Sequence, residues 1–291
     1  MAVVLIHGGA GAGRSLRGHD ASCRQALHDA LAAARAALQD GGDAVDAVTA
    51  AVRVLEDCEL FNAGRGAALC SDGSAELSAA VMRGCDRGAG AVAGARRTRQ
   101  PVDAARHVLE THQVLVIGDR ADELAAEAGL EQVPNDWFIT ERQRESLRSG
   151  VHADRHGTVG AVCLDTAGNL AAATSTGGIS GQPPGRVGDS PLFGAGTWAD
   201  AGVAVSCTGD GELFVRAGAA HAVAALVAHG QSLPDACAAV LADVQGLGGE
   251  GGLIALDAGG TAALPFVTAA MPRGLWREGQ DPQVWTAGES A

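Results

Sequence analysis

The chain contains no lysine and no tyrosine, so every cationic side chain apart from histidine is arginine. That excludes a Schiff-base lysine, a Ser-Lys dyad, a phosphate-loop lysine and a tyrosine general acid. Catalysis, if any, falls to His, Asp, Glu, Arg, Cys, Ser, Thr or a chain terminus. Basic residues are few: 21 arginines face 34 acidic residues, for a net charge of -13, and no basic stripe is present. This argues against a nucleic-acid partner, because phosphate binding needs clustered cations to displace counterions. No apolar run approaches the roughly 20 residues of a membrane span, and "MAVVLIHGG" lacks the charged start of a signal peptide. The expected setting is the cytoplasm. The seven cysteines are odd in number and include no CxxC. They read as reduced, mostly buried small hydrophobes rather than as a zinc or redox site.

What is abundant is glycine and alanine, at a length within reach of one large layered domain, 1-291. "AVVLI" predicts a strand closed by the Gly-rich turn "HGGAGAG". Asp20 to Gln39 reads as an Ala-rich helix stopped by Gly41 and Gly42. Asp43 N-caps a second helix whose Val45, Val48, Val52 and Leu55 share a face. "FNAGRGAAL", "AELSAAVM" and "GAGAVAG" suit strands and turns; Pro101 opens a helix to Glu110, "VLVIG" is a strand, and "DRADELAAEAG" a helix ended by Gly129. Glu141 to His156 reads as an exposed helix end and a linker. Beyond it, "TVGAVCLD" and "LAAATST" form a hairpin, "VAVSCTGDGELFV" and "GLIALDAGGTAALPFV" read as antiparallel strand pairs, and two helices, Val215 to His229 and from Pro234, lie between them. The expectation is one α+β domain with helix-covered sheets.

Several motifs stay bland when tested alone. "HGGAGAG" fails the GxGxxG spacing, since the pattern would need glycine at Arg14 or Leu16; a tight turn accounts for its glycines. His152 and His156 are spaced like a helical metal pair, yet the HExxH glutamate is absent. "FNAG" and "GDGE" suit turns. "RHGTVG" is different in kind. If the Gly157-Thr158 bond breaks, Thr158 gains its own base, a free α-amine with a pKa near 8 beside its hydroxyl. The fragment alone better suits an ordinary β-branched strand residue. In "GRVGDSP", Arg186 and Asp189 carry opposite charges three residues apart, suited to an α-carboxylate and an α-ammonium, or to a local salt bridge.

Taken in order, "IHGGAGAG", "LEDCELFNAGRGA", "GTVGAVCLD", "AAATSTGG", "GRVGDSPLFGAGTWAD" and "VSCTGDGE" closely resemble the plant-type asparaginases, also called isoaspartyl peptidases, which are N-terminal-nucleophile hydrolases. The resemblance runs from about residue 3 to 270 and implies a four-layer αββα sandwich. It implies autocleavage into an α subunit, 1-157, and a β subunit, 158-291, paired as an (αβ)2 homodimer. By position, it makes Gly157-Thr158 the cut bond, Thr158 the nucleophile and Thr176 its hydrogen-bonding neighbour. Arg186 and Asp189 become the substrate anchors. Thr208 and Gly209, with Gly211 nearby, and Asn62 form the oxyanion and substrate groups. It implies no catalytic metal or redox cofactor, and a sodium ion on main-chain carbonyls of the loop Leu55 to Arg65. The implied substrates are L-asparagine and β-aspartyl dipeptides.

Three departures bear on this. Ser78 and Arg83 stand where the family commonly has aspartates, the linker before Thr158 is short, and Asp210 is nearer to glycosylasparaginase-like sequences. A glycosylasparaginase-like amidase and an uncleaved, inactive amino-acid-binding relative therefore stay open as alternatives.

Overall fold

The computed structural model describes residues 1–11, 18–150 and 157–286. The chain begins with β1 (Val3–His7), α1 (Asp20–Gln39) and α2 (Ala44–Asp57), then β2 (Leu77–Arg83), β3 (Ala89–Ala95), α3 (Pro101–Leu109), β4 (Leu115–Ile117), α4 (Asp119–Glu127) and α5 (Glu141–Ser149). Beyond the Gly157-Thr158 step come β5 (Val159–Leu164), β6 (Leu170–Thr176), β7 (Thr197–Ala199), β8 (Val203–Gly209), α6 (Gly211–Ala217), α7 (Ala219–Ala228), α8 (Leu233–Gly246), β9 (Gly251–Asp257), β10 (Ala262–Ala263), β11 (Arg273–Arg277) and β12 (Gln283–Trp285).

Two sheets result: an eight-stranded one ordered β12-β11-β1-β5-β6-β2-β3-β4 and a four-stranded one ordered β10-β9-β8-β7. Neighbours are antiparallel except β3 and β4. Side chains alternate along a strand, so one strand serves two cores. On β1, Val4 and Ile6 pack with α1 and α2, while Val3 and Leu5 face the small sheet. On β6, Ala171 and Ala173 point to the helices and Leu170 and Ala172 to the small sheet. On β8, Val203, Val205 and Cys207 pack with α7 and α8, and Ala204 faces the large sheet. This double burial explains why these strands read as continuous apolar runs.

The expected first strand, both early helices and the "TVGAVCLD"/"LAAATST" hairpin are observed. Asp43 accepts from Asp46 N while Asp46 accepts from Asp43 N, a reciprocal cap on α2. "GLIALDAGGTAALPFV" contributes the antiparallel pair β9 and β10. "VAVSCTGDGELFV" does not form a strand pair: β8 ends at Gly209 and Gly211 opens α6, with Phe214 buried against the small sheet. The next helix therefore starts earlier than Val215 and is broken at Gly218, whose φ is +57°. The stretch Gly211–Ala228 reaches 18 residues at a mean hydropathy of 1.3, so one run does approach the length and apolarity of a span. That Gly218 break divides it, and Val223 and Ala224 of α7 are buried in the same core as β8.

Candidate active site

The face between the sheets changes character along its length. Val3, Leu5, Val162, Leu164, Leu170, Ala172, Ala204 and Ile254 make it apolar at one end. Two residues further along the same strands the positions become His7, Gly160, Thr174, Thr176, Ser206 and Thr208. A buried layer that turns polar in register on three strands, with glycine on a fourth, needs a compensating set of hydrogen bonds.

Thr158 lies at this end, immediately before β5, and is buried. Its hydroxyl donates to Thr176 Oγ1 at 3.2 Å and lies 3.4 Å from Ser190 Oγ. Thr176 Oγ1 also accepts from Gly178 N at 3.0 Å, which fixes the turn after β6. Gly157, Thr158, Thr176, Gly178, Ile179, Arg186, Gly188, Asp189, Ser190 and Gly209 bound one cavity. Its volume is about 10 Å³, room for one water and not for an amino acid, with Gly157 as part of its wall.

Both expected anchors line this cavity. Arg186 donates from Nε and Nη2 to the two carboxylate oxygens of Glu212 at 2.9 and 2.8 Å. Its Nη1 lies 3.4 Å from Gln182 Oε1. Asp189 is buried, and its Oδ2 has no hydrogen-bond partner among the described residues. Burial pushes its carboxyl up to about 7 against the pull of Arg186; Glu212 adds to the rise. A Cβ on Gly211 would stand 2.9 Å from Asp189 Oδ1 and 3.0 Å from Arg186 Nη2, so glycine there keeps the space between the anchors open.

Of the remaining expected groups, Gly209 lines the cavity, whereas Thr208 and Asn62 stand around this centre without lining it. Thr208 on β8 accepts from Ala10 N at 3.1 Å, which ties it to the turn after β1. Asn62 is held by two main-chain contacts, Nδ2 to Gly178 O and Ala68 N to Oδ1, each 2.6 Å, and a Cβ on Gly157 would lie 2.8 Å from its own Cβ. Asp210 turns away: its carboxylate accepts from Glu250 N at 2.8 Å. Ser78 pairs with Thr176 across β2 and β6, and Arg83 forms ion pairs with Asp86 and Glu110. His152 and His156 lie outside the described residues, as do Arg14 and Leu16. Ser190 and Glu212, each in contact with a predicted residue, stand in the quoted motifs without a role assigned to them there.

Behind β6, Glu56 is fully buried, accepts from Ser175 Oγ at 2.5 Å and Val102 N at 3.0 Å, and is pushed well above the usual carboxylate range by burial. The loop after it gathers carbonyls. Those of Glu59 and Phe61 lie 2.7 and 2.8 Å from where a Cβ of Gly66 would sit, and Gly66 has φ +109°. Of these two carbonyls, that of Glu59 also accepts from Arg142 Nη2. Among the described residues no group of three His, Cys, Asp or Glu side chains converges for a metal. The cysteines are unpaired; five are buried, Cys58 is half-buried and Cys85 exposed.

Comparison with known proteins gives a consistent result. The family model described as Asparaginase matches residues 1–286. The isoaspartyl peptidase of Salmonella typhimurium is 48% identical over 303 residues, covering 97% of each chain. That of Escherichia coli is 47% identical, covering 97% of this chain and 94% of its own. The isoaspartyl peptidase/L-asparaginase of Homo sapiens is 36% identical over 290 residues, covering 96% of this chain and 94% of its own.

Proposed function

The chain belongs to the asparaginase family, and on that premise we propose that it is a self-cleaving threonine hydrolase of L-asparagine and β-aspartyl dipeptides. The observation that carries the reading is Thr158 Oγ1, buried 3.2 Å from Thr176 Oγ1 in a cavity walled by Arg186 and Asp189, directly after a Gly-Thr bond. In processing, Thr158 Oγ attacks the Gly157 carbonyl carbon, the C–N bond breaks, and water hydrolyses the resulting ester. The freed α-amine, with an unperturbed pKa of about 8, then serves as base for the adjacent hydroxyl.

In turnover, Arg186 holds the substrate α-carboxylate and Asp189 its α-ammonium, which places the side-chain carbonyl at Thr158. Oγ attacks, the α-amine takes the hydroxyl proton and passes it to the departing ammonia or amine, and water releases aspartate from the β-aspartyl ester. Thr208 and Asn62 stabilise the oxyanion; loss of one such donor costs about 100- to 1000-fold in rate. Gly209 and Gly211 leave room for the bound amino acid. The helix–sheet and sheet–sheet cores support the four-layer αββα arrangement, and the working unit is an (αβ)2 dimer in the cytoplasm. The carbonyls of Leu55 to Arg65 would hold a sodium ion, supplying positive charge that fixes the loop bearing Asn62.

The test is Thr158→Ala. Wild type is expected to convert from one 29.0 kDa band to two near half that mass, the second beginning Thr-Val-Gly-Ala, and the variant to stay whole and release no ammonia from asparagine. Hydrolysis by the variant overturns the reading. A wild-type chain that never cleaves favours the inactive relative, and activity on aspartylglucosamine alone favours the glycosylasparaginase.

A further inference from the structure

Five buried residues between the sheets form a hydrogen-bonded chain that the mechanism above does not use. His7 Nε2 lies 2.9 Å from Ser206 Oγ, and Ser206 Oγ lies 2.7 Å from Thr174 Oγ1. Thr174 Oγ1 is 2.7 Å from Thr197 Oγ1, and the Thr197 hydroxyl reaches the main-chain carbonyl of Ser190 at 2.9 Å. None is more than 1% exposed. The chain crosses repeatedly between the sheets: His7 on β1 and Thr174 on β6 belong to the large one, Ser206 on β8 and Thr197 on β7 to the small one. It ends on the loop that carries Asp189 and Ser190.

Thr197 Oγ1 is placed to donate to Thr174 Oγ1 and to Ser190 O, Thr174 Oγ1 can donate to Gly196 O at 3.5 Å, and the Ser206–Thr174 bond can run either way. Every hydroxyl of the seam therefore has a partner, which meets the cost of burying it. Burial pulls the His7 imidazole down to about 3, so the ring is neutral and has one N–H to give. Thr174 shares its strand face with Thr176, two residues on. Gly160, two residues past Thr158 on β5, has no space for a side chain, because a Cβ there would collide with Ser206 Oγ and His7 Nε2. None of the side chains of His7, Ser206, Thr174 or Thr197 lines the cavity.

The geometry points to this seam as a positioning device: it ties the Asp189–Ser190 loop to the strands carrying Thr158 and Thr176, and so sets the distance between nucleophile and substrate anchors. The inference rests on Thr158 being the nucleophile. Misplacement by about 1 Å from a site remote from the chemistry can cost roughly 100-fold, so a broken link has a measurable consequence.

The test compares Thr174→Val, which keeps the volume and removes the hydroxyl, with Thr174→Ser, which keeps the hydroxyl and removes a methyl. Thr174→Val is expected to slow self-cleavage and to lower kcat/KM for asparagine about 10- to 100-fold, with KM raised, whereas Thr174→Ser stays within a fewfold of wild type. A packing role predicts the reverse order. Thr197→Val and Thr197→Ser repeat the comparison at the next link should Thr174→Val be insoluble. Ile254→Val, in the apolar part of the same layer, is expected to lower Tm while leaving kcat and KM unchanged. Valine variants that cleave and turn over like wild type, or serine variants as impaired as valine ones, overturn the inference. Thr158→Ala retaining hydrolysis overturns the site reading and the seam with it; an inactive Thr158→Ala beside a wild-type-like Thr174→Val overturns the seam alone.

Discussion

Asp189 carries a conflict between folding and binding. Its carboxyl is buried beside Arg186, yet one oxygen has no partner among the described residues and the group is pushed up to about 7 from an ordinary 3.8. With the folded-state value above the unfolded one, the native state holds the proton more tightly. The stability this contributes is present below the ordinary carboxylate range and is lost as pH rises toward 7. In the uncut Thr158→Ala background, Asp189→Asn is therefore expected to raise Tm at pH 8 relative to its parent and to do so less at pH 5, by scanning calorimetry. On the proposed function, binding has the opposite sign, because only the carboxylate pairs with an α-ammonium. In the cut enzyme, kcat/KM for asparagine is expected to fall as pH drops through 7, and Asp189→Asn to lose roughly thirtyfold or more in kcat/KM, the cost of truncating a buried charge pair. Equal Tm differences at both pH values would refute the folding half of this argument.

At the scale of elements, α2 shows what a sequence makes legible. Its cap is a three-residue affair, and its apolar face repeats with the helical period, so both were readable without knowledge of the fold. Asp43→Ala removes the acceptor for Asp46 N at 3.0 Å. About 1 kcal/mol of stability and a Tm lower by roughly 2–4 °C are expected, with kcat/KM of the cut enzyme unchanged, because the cap lies at the end of α2 away from Glu56. Elements specified by distant partners were not readable. β7, β11 and β12 have three to five residues each, and β11 pairs with β1 across the length of the chain. "GDGELFV" extends the alternating look of "VAVSC", and only the packing of Phe214 on the small sheet shows that it is helical. The candidate site divides the same way. Thr158, Arg186 and Asp189 stand in distinctive local motifs, whereas Ser190 and Glu212 acquire meaning only from Oγ atoms and guanidinium edges that folding brings to them.

For the molecule as a whole, the proposed site is enclosed while the Gly157-Thr158 bond is intact. Gly157 walls a cavity of about 10 Å³, and aspartate cannot enter so small a space. On the proposed function, cleavage is what admits substrate, because only a cut chain lets Gly157 leave the anchors. A ligand that binds the native state and not the unfolded one stabilises by RT ln(1 + [L]/Kd), about 2.7 kcal/mol at a hundredfold excess over Kd. Aspartate, the reaction product, is therefore expected to raise the Tm of fully cut protein in a concentration-dependent way. It is expected to leave Thr158→Ala unmoved at the same concentrations, although that variant retains both Arg186 and Asp189. The comparison separates two causes of inactivity in the uncut chain: a missing α-amine alone would leave aspartate binding intact, whereas a closed cavity abolishes it. Equal Tm shifts in both proteins would mean that the anchors are accessible before cleavage, and that the cut supplies only the base.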